Sequence, residues 1–259
     1  MNPADAWPAT RPTNPPHARP TTPPYVWPVT PPYTWPTTPA ALADEQERLA
    51  ALMPEPWFPP EHPLLVGAAF VAFVRGEQGP GHPGDHALVG AVLWEEREGV
   101  VAERVAPGVA GASYAPGLLA LREGPMLAAA LEALPGRPDV LLVDATGRDH
   151  PRRAGLALQL GAALGVPSVG VTHRTLRARG ADAGPNPGDR SPLMLGEDEV
   201  AQWVRTAPGV RAVVAHGAWR TDPAAATDVV WRCARGWRTP EPLRQARRVA
   251  REARAEAAD

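Results

Sequence analysis

Residues 138–173 narrow most sharply what this chain can fold into. PDVLLVD (138–144) is a continuous apolar run, the mark of a strand buried on both faces. HPRRAGLALQLGAALG (150–165) has helical spacing and opens at His150-Pro151, which reads as a helix start. PSVGVTH (167–173) is a second buried strand. Strand, helix, strand in this order implies a parallel crossover.

Upstream, residues 63–77, 86–96 and 99–106 read as three successive strands with short links, an antiparallel meander. Residues 116–134 are helical in pattern, with a break or two abutting helices expected at Gly124-Pro125. Three more strands are expected within 192–197, 199–206 and 209–217. A helix follows over 221–237, with Thr221 or Asp222 as its N-cap, and a basic helix over 241–257. A further helix is expected over 39–53. A meander continued by parallel strands with helices on both faces is the layout of an α/β, ribonuclease H-like mixed sheet.

Residues 1–38 stand apart. They are rich in Pro and Thr and repeat Trp-Pro at Trp7, Trp27 and Trp35. Such proline density favours extended, solvated conformers, so a disordered tail is expected, with residues 39–259 as the folded domain. A proline-rich ligand for an aromatic-lined groove is the functional alternative.

The formal charge of −2 gives no global signal for nucleic acid, so a local basic face would have to supply any such binding. Every one of the 26 Lys+Arg residues is arginine, which fits GC-rich coding. The single cysteine, Cys233, excludes an internal disulfide and fits a reducing, cytoplasmic setting. No apolar run reaches the length of a membrane span, and the N-terminus lacks the charged and apolar segments of a secretory signal.

The chemistry-bearing residues cluster between Ser113 and Arg153. Asp144 ends an apolar strand, where carboxylates commonly face the ligand crevice of an open α/β sheet; a turn or N-cap aspartate is the alternative. Glu123 lies in REGP and either faces solvent or serves a site. Two carboxylates from separate elements suit a hard divalent cation. His150, Arg152 and Arg153, at an expected helix N-terminus, would cradle a phosphate, or would be solvated charge at a helix end. Tyr114 precedes Ala-Pro-Gly and so rides on a tight turn, either as a wedge into stacked bases or as amphipathic packing.

These same residues carry a family likeness. SYAPGLLALREGP resembles the PYIPGLLAFREGP motif of endonuclease V, and residues 138–171 resemble that family's PDV strand, DGxGxxHPRRxGLAxHLG segment and PTIGVAK strand. TPEPLRQA resembles its PEPTRLA, and WPTTPAALADEQERLA its first helix. The likeness spans residues 35–255. It implies a nuclease that uses magnesium, with manganese as the alternative ion, to nick DNA, with RNA as an alternative substrate, one phosphodiester 3′ of a deaminated base such as inosine. It further implies a monomer. Glu123 and Asp144 would be metal-binding carboxylates, Tyr114 the strand-separating wedge, and His150 a neighbour of the site.

The departures are at the same site. The family's first metal-binding aspartate lies in a first-strand GVDxx(Y/F) motif; VGAAFVAF places Ala69 there. A methyl group cannot ligate magnesium. His173 stands at the lysine of GVAK, and Ala218 at the histidine of SPGH, with His216 two residues earlier as the candidate replacement. DGxG reads DATG, which puts Ala145 at a glycine. Asp85 or Glu77 would be substitute ligands if the first strand were read in another register. The resemblance therefore implies either an active nuclease or a homologue that binds deaminated or single-stranded nucleic acid with cutting impaired.

Overall fold

Val140–Val143 is the four-residue strand β4 at the centre of the sheet in the computed structural model, which describes residues 33–74 and 81–257. Its side chains alternate strictly between two cores. Leu141 and Val143 enter one cluster, Val140 and Leu142 the other, as a strand covered on both faces requires.

Around it run β1 (Leu65–Phe73), β2 (His86–Glu95) and β3 (Gly99–Val109), then β5 (Ser168–Thr172), β6 (Arg190–Leu195), β7 (Asp198–Val204) and β8 (Val213–Gly217). The order is β3-β2-β1-β4-β5-β8-β7-β6. The meander β1–β3 is antiparallel, and β1, β4 and β5 are mutually parallel, as the sequence implies. The start of β1 is locked to β4: Asp139 accepts the Leu65 N–H at 2.9 Å and returns its own N–H to the Leu65 carbonyl at 2.8 Å. That lock fixes Ala69 opposite Val143.

Helices α1 (Pro39–Ala51), α2 (Leu119–Glu132) and α3 (Leu156–Leu164) cover the first face, and α4 (Pro223–Arg232) and α5 (Glu241–Glu256) the second. Thr38 caps α1 through the Ala41 N–H, and Asp222 rather than Thr221 caps α4. Among the described residues, no helix is long and apolar enough to cross a membrane. Cys233 is buried at the end of α4, and burial pushes its thiol well above the ordinary range.

Two expectations about helices are corrected. Helix α2 is continuous through Pro125. Proline removes its own N–H and frees the carbonyl four residues back, at Leu121. Gly111 packs against that carbonyl, where a Cβ would come within 2.3 Å, and donates its N–H to the Arg122 carbonyl at 3.3 Å. A loop glycine thus packs against the freed carbonyl while its own N–H goes to the next one along. Helix α3 begins at Leu156, six residues beyond His150. The intervening chain turns through Arg153 in a left-handed conformation (φ 57°). Gly155 then lies against Thr146, and the Thr146 carbonyl accepts the Ala157 N–H at 3.1 Å.

Tyr33 to Thr38 belong to the folded body, although the tail was expected to extend to residue 38. The Tyr33 hydroxyl donates to Glu45 (2.9 Å) and accepts from Gln159 (3.0 Å), and Trp35 packs on Gly124 of α2. The rest of the expected tail, including the Trp7 and Trp27 repeats, lies outside the described residues.

Candidate nucleic-acid cleft

The carboxyl ends of β1 and β4 open into a cleft. One part of it, about 250 Å³, is walled by Ala69, Phe70, Phe73, Glu123, Leu127 and Asp144. A second cavity of about 210 Å³ adjoins it through Asp144 and is lined by Gln46, Tyr114, Gly117, His150, Thr172 and Leu176. Asp144 therefore lies on the wall common to both.

Glu123 projects from the first turns of α2 and is partly buried. Burial pushes its carboxyl up to about 7; the Arg122 guanidinium pulls it down, and the Asp144 charge pushes it further up. The two carboxylates therefore sense one another. Asp144 is held from the other side of the sheet. Arg247 of α5 donates to its Oδ2 at 2.9 Å, with the guanidinium carbon 4.9 Å from the Phe70 ring centroid.

A divalent cation fits this arrangement poorly. Magnesium wants near-octahedral oxygen ligands. Ala69 offers a methyl group, Asp144 is engaged by a guanidinium, and no group of three or more His, Cys, Asp or Glu side chains among the described residues is placed to hold a metal. Asp85 does not swing in. It is buried, with its carboxylate 2.7 Å from Arg122 and accepting the His82 N–H at 2.7 Å. Glu77 lies outside the described residues.

Tyr114 is half-exposed at the mouth of the upper cavity. It immediately precedes a turn in which the Leu118 N–H reaches the Ala115 carbonyl (3.0 Å) and Gly117 takes φ 78°, a conformation that suits glycine. His150 is buried beneath that turn. The Arg152 N–H donates to His150 Nδ1 at 3.2 Å, which leaves Nε2–H to donate to the Gly117 carbonyl at 3.3 Å. Burial holds the imidazole below its ordinary pKa, against the pull of Gly117 and Asp149. A neutral His150 thus positions the turn that carries Tyr114.

Arg152 donates to Gln46 at 3.1 Å, and Gln46 in turn donates to the Gly117 carbonyl at 3.2 Å. Arg153 donates to the Leu195 carbonyl at 2.7 Å and pairs with Asp198 at 3.1 Å. The late start of α3 leaves the expected cradle of a helix N-terminus and two arginines unbuilt. His173 bonds Thr239 at 3.0 Å; burial, then Arg238, depress its pKa, while Asp144 raises it. His216 is fully buried, bonds Thr172 of the cavity wall at 2.8 Å and lines neither cavity, so it is not placed as the replacement histidine expected from the sequence.

Sequence reasoning missed Gln46, Arg247 and Asp149. The buried Asp149 carboxylate accepts backbone N–H groups from Leu176, Arg177 and Ala178, each at 2.7 Å, and so fixes Leu176 in the cavity wall. Its only sequence signal is its place beside His150 in GRDHPRR.

A meander joined to parallel strands, with an acidic cleft at the strand ends, defines a ribonuclease H-like fold. The sequence model of the family described as Endonuclease V matches residues 60–248, and the chain belongs to that family. Endonuclease V of Streptomyces avermitilis is 40% identical over 158 residues, which cover 61% of this chain and 69% of the relative. Endonuclease V of Azotobacter vinelandii is 34% identical over 187 residues, covering 72% and 81%. The crystal structure of the Streptomyces avermitilis protein superposes with a TM-score of 0.77 at 34% identity, covering 87% of this chain and 96% of that one. A Ciona intestinalis endonuclease V in complex with a 23mer DNA containing an inosine followed by a ribo-adenosine shares the fold, at a TM-score of 0.71 and 20% identity over 84% and 97% of the two chains.

Proposed function

We propose that this chain binds deaminated nucleic acid, with inosine-containing DNA as the reference ligand, and cuts it poorly or not at all. The observation that carries this reading is Ala69, which walls the same cavity as Glu123 and Asp144 where the family places its first metal-binding aspartate. In support, the upper cavity with its half-exposed Tyr114 adjoins the acidic pocket, as a base site beside a phosphate site would. The Ciona relative was captured on inosine-containing DNA. In this reading Tyr114 contacts the bases, His150 positions it, and Glu123 and Asp144 are the remnant of a cation site. The protein acts as a monomer.

A second reading is magnesium- or manganese-dependent nicking beside the lesion. Its favouring observation is that Glu123 and Asp144 face one cavity from separate elements.

One experiment separates the two. Inosine-containing and unmodified strands, as duplex DNA, single-stranded DNA and RNA, are titrated with protein and then incubated with magnesium or manganese at enzyme excess. Inosine-dependent binding without a metal-dependent product is expected. Nicking within a single turnover would establish the second reading, and absence of binding to every strand would remove both.

A further inference from the structure

The cleft leaves a strongly charged groove unused. Trp237, Arg238, Arg244, Arg247, Arg248 and Arg251 enclose an open space of about 400 Å³ along α5, and no carboxylate lines it. In a chain of formal charge −2, this is a local concentration of positive charge. Arg244 and Arg248 are partly neutralised by Glu241, Glu103 and Glu252. Arg238 and Arg251 have no carboxylate within 4 Å among the described residues. Arg238 is braced by the Arg211, His173 and Ala212 carbonyls. Trp237 is 55% exposed, with the Arg244 guanidinium 4.3 Å from its ring centroid.

Arg247 joins this groove to the cleft. It contacts Asp144 and lies over Phe70, the neighbour of Ala69, as does Arg251 at 5.9 Å. Its Nε–H is buried without an acceptor. Its guanidinium is paired with Asp144, one of the two carboxylates that wall the cleft.

We propose that this groove binds the sugar-phosphate backbone of single-stranded nucleic acid without a metal, with Arg247 supplying at Asp144 the positive charge that a divalent cation would supply. The proposal rests on the cleft being a nucleic-acid site. Arginine forks match phosphate oxygens in pairs, and a basic groove beside an exposed aromatic ring suits single strands, whose base faces are free to stack. An acidic polypeptide would answer the charge but would have no use for Trp237.

The test is fluorescence anisotropy of the full chain with a dye-labelled single-stranded DNA, with and without one inosine, in EDTA and in magnesium chloride. Binding in EDTA is expected to equal that in magnesium. R247Q/R251Q should weaken both strands roughly tenfold and reduce the salt slope by about 1.4, about 0.7 for each lost phosphate contact. W237A should weaken both about tenfold, and W237F should restore most of the loss. Circular dichroism melts confirm that each variant is folded. Loss of binding in EDTA would overturn the proposal. So would groove variants that bind like the parent, or competition by polyglutamate that is as strong as competition by unlabelled DNA. Tyr114→Ala separates this idea from the cleft reading. If it abolishes inosine preference while the groove variants are neutral, the groove fails and the cleft stands. If the groove variants weaken binding but inosine is never preferred, the reverse holds.

Discussion

Ala69 on β1 is the parallel-register partner of Val143 on β4, the residue directly before Asp144. A side chain at position 69 therefore enters the cavity that holds Glu123 and Asp144. Ala69→Asp adds a third carboxylate to that cavity. Without a cation, a third carboxylate in this 6%-exposed position should cost about 2–4 kcal/mol. Magnesium should return most of it by binding only the folded state. The expected result is a melting temperature that rises with magnesium in the variant and not in the parent. Single-turnover nicking of inosine DNA should also appear, and its rate at saturating protein should rise when Arg247→Ala releases Asp144, even though binding weakens. A variant melt indifferent to magnesium would show that the three positions do not converge.

The meander and the parallel crossover were readable because the apolar runs and their alternation are local signals, and Asp144 was readable because it ends one such run. Gln46 and Arg247 were not. They meet Gly117 and Asp144 across 71 and 103 residues, and nothing local marks them. The α2 break was misjudged for a similar reason: the segment packed against the carbonyl that Pro125 frees is the loop at Gly111, ten residues away in sequence from Leu121. The start of α3 was misplaced because the left-handed turn falls on Arg153, a residue type that gives no hint of positive φ.

Glu123 ties stability to pH. Its folded pKa of about 7 lies above the ordinary 4.5. The stability tied to its neutral form is fully present below pH 4.5 and is lost as pH rises through 7, an effect of about 2–3 kcal/mol. Glu123→Gln should therefore be more stable than the parent at pH 8 and equal to it near pH 4. Urea unfolding at both values measures this. An equal gap at the two pH values would mean that burial does not perturb the carboxyl.

His216 has the opposite sign. Burial holds its pKa down to about 4, below the ordinary 6.5. Its contribution is present above pH 6.5 and is lost as pH falls toward 4. Between pH 4.5 and 6.5 the two groups partly cancel in the parent. Glu123→Gln should expose the histidine's acid sensitivity as a steeper fall in unfolding free energy with acidity. The His216 ring resonances should stay those of neutral imidazole at pH 5.5.

Arg122 and Asp85 form a buried pair at 2.7 Å, with the Arg122 guanidinium carbon 4.0 Å from the Phe73 ring centroid. Breaking such a pair strands a charge. Asp85→Asn should cost about 3 kcal/mol or more. Because Asp85 supports the helix that carries Glu123 without facing the cleft, the loss should be the same with and without magnesium in urea titrations.

Gly124 sits between Glu123 and Pro125, where alanine would be the better helix former by about 1 kcal/mol. A Cβ there would meet Trp35 at 2.2 Å, so the ring of the N-terminal segment is seated in the space that glycine leaves. Gly124→Ala must push Trp35 out. It should destabilise the parent by about 1–3 kcal/mol, as overpacking does. With Trp35→Ala already in place the obstacle is gone, and the same substitution should become neutral or stabilising. A double-mutant cycle by urea unfolding reads the coupling directly. Additive effects would place Trp35 elsewhere. The cycle also bears on the cleft, since the segment from Tyr33 to Trp35 braces α2 within one residue of Glu123, and a displaced ring should lower the carboxyl's pKa by letting water reach it.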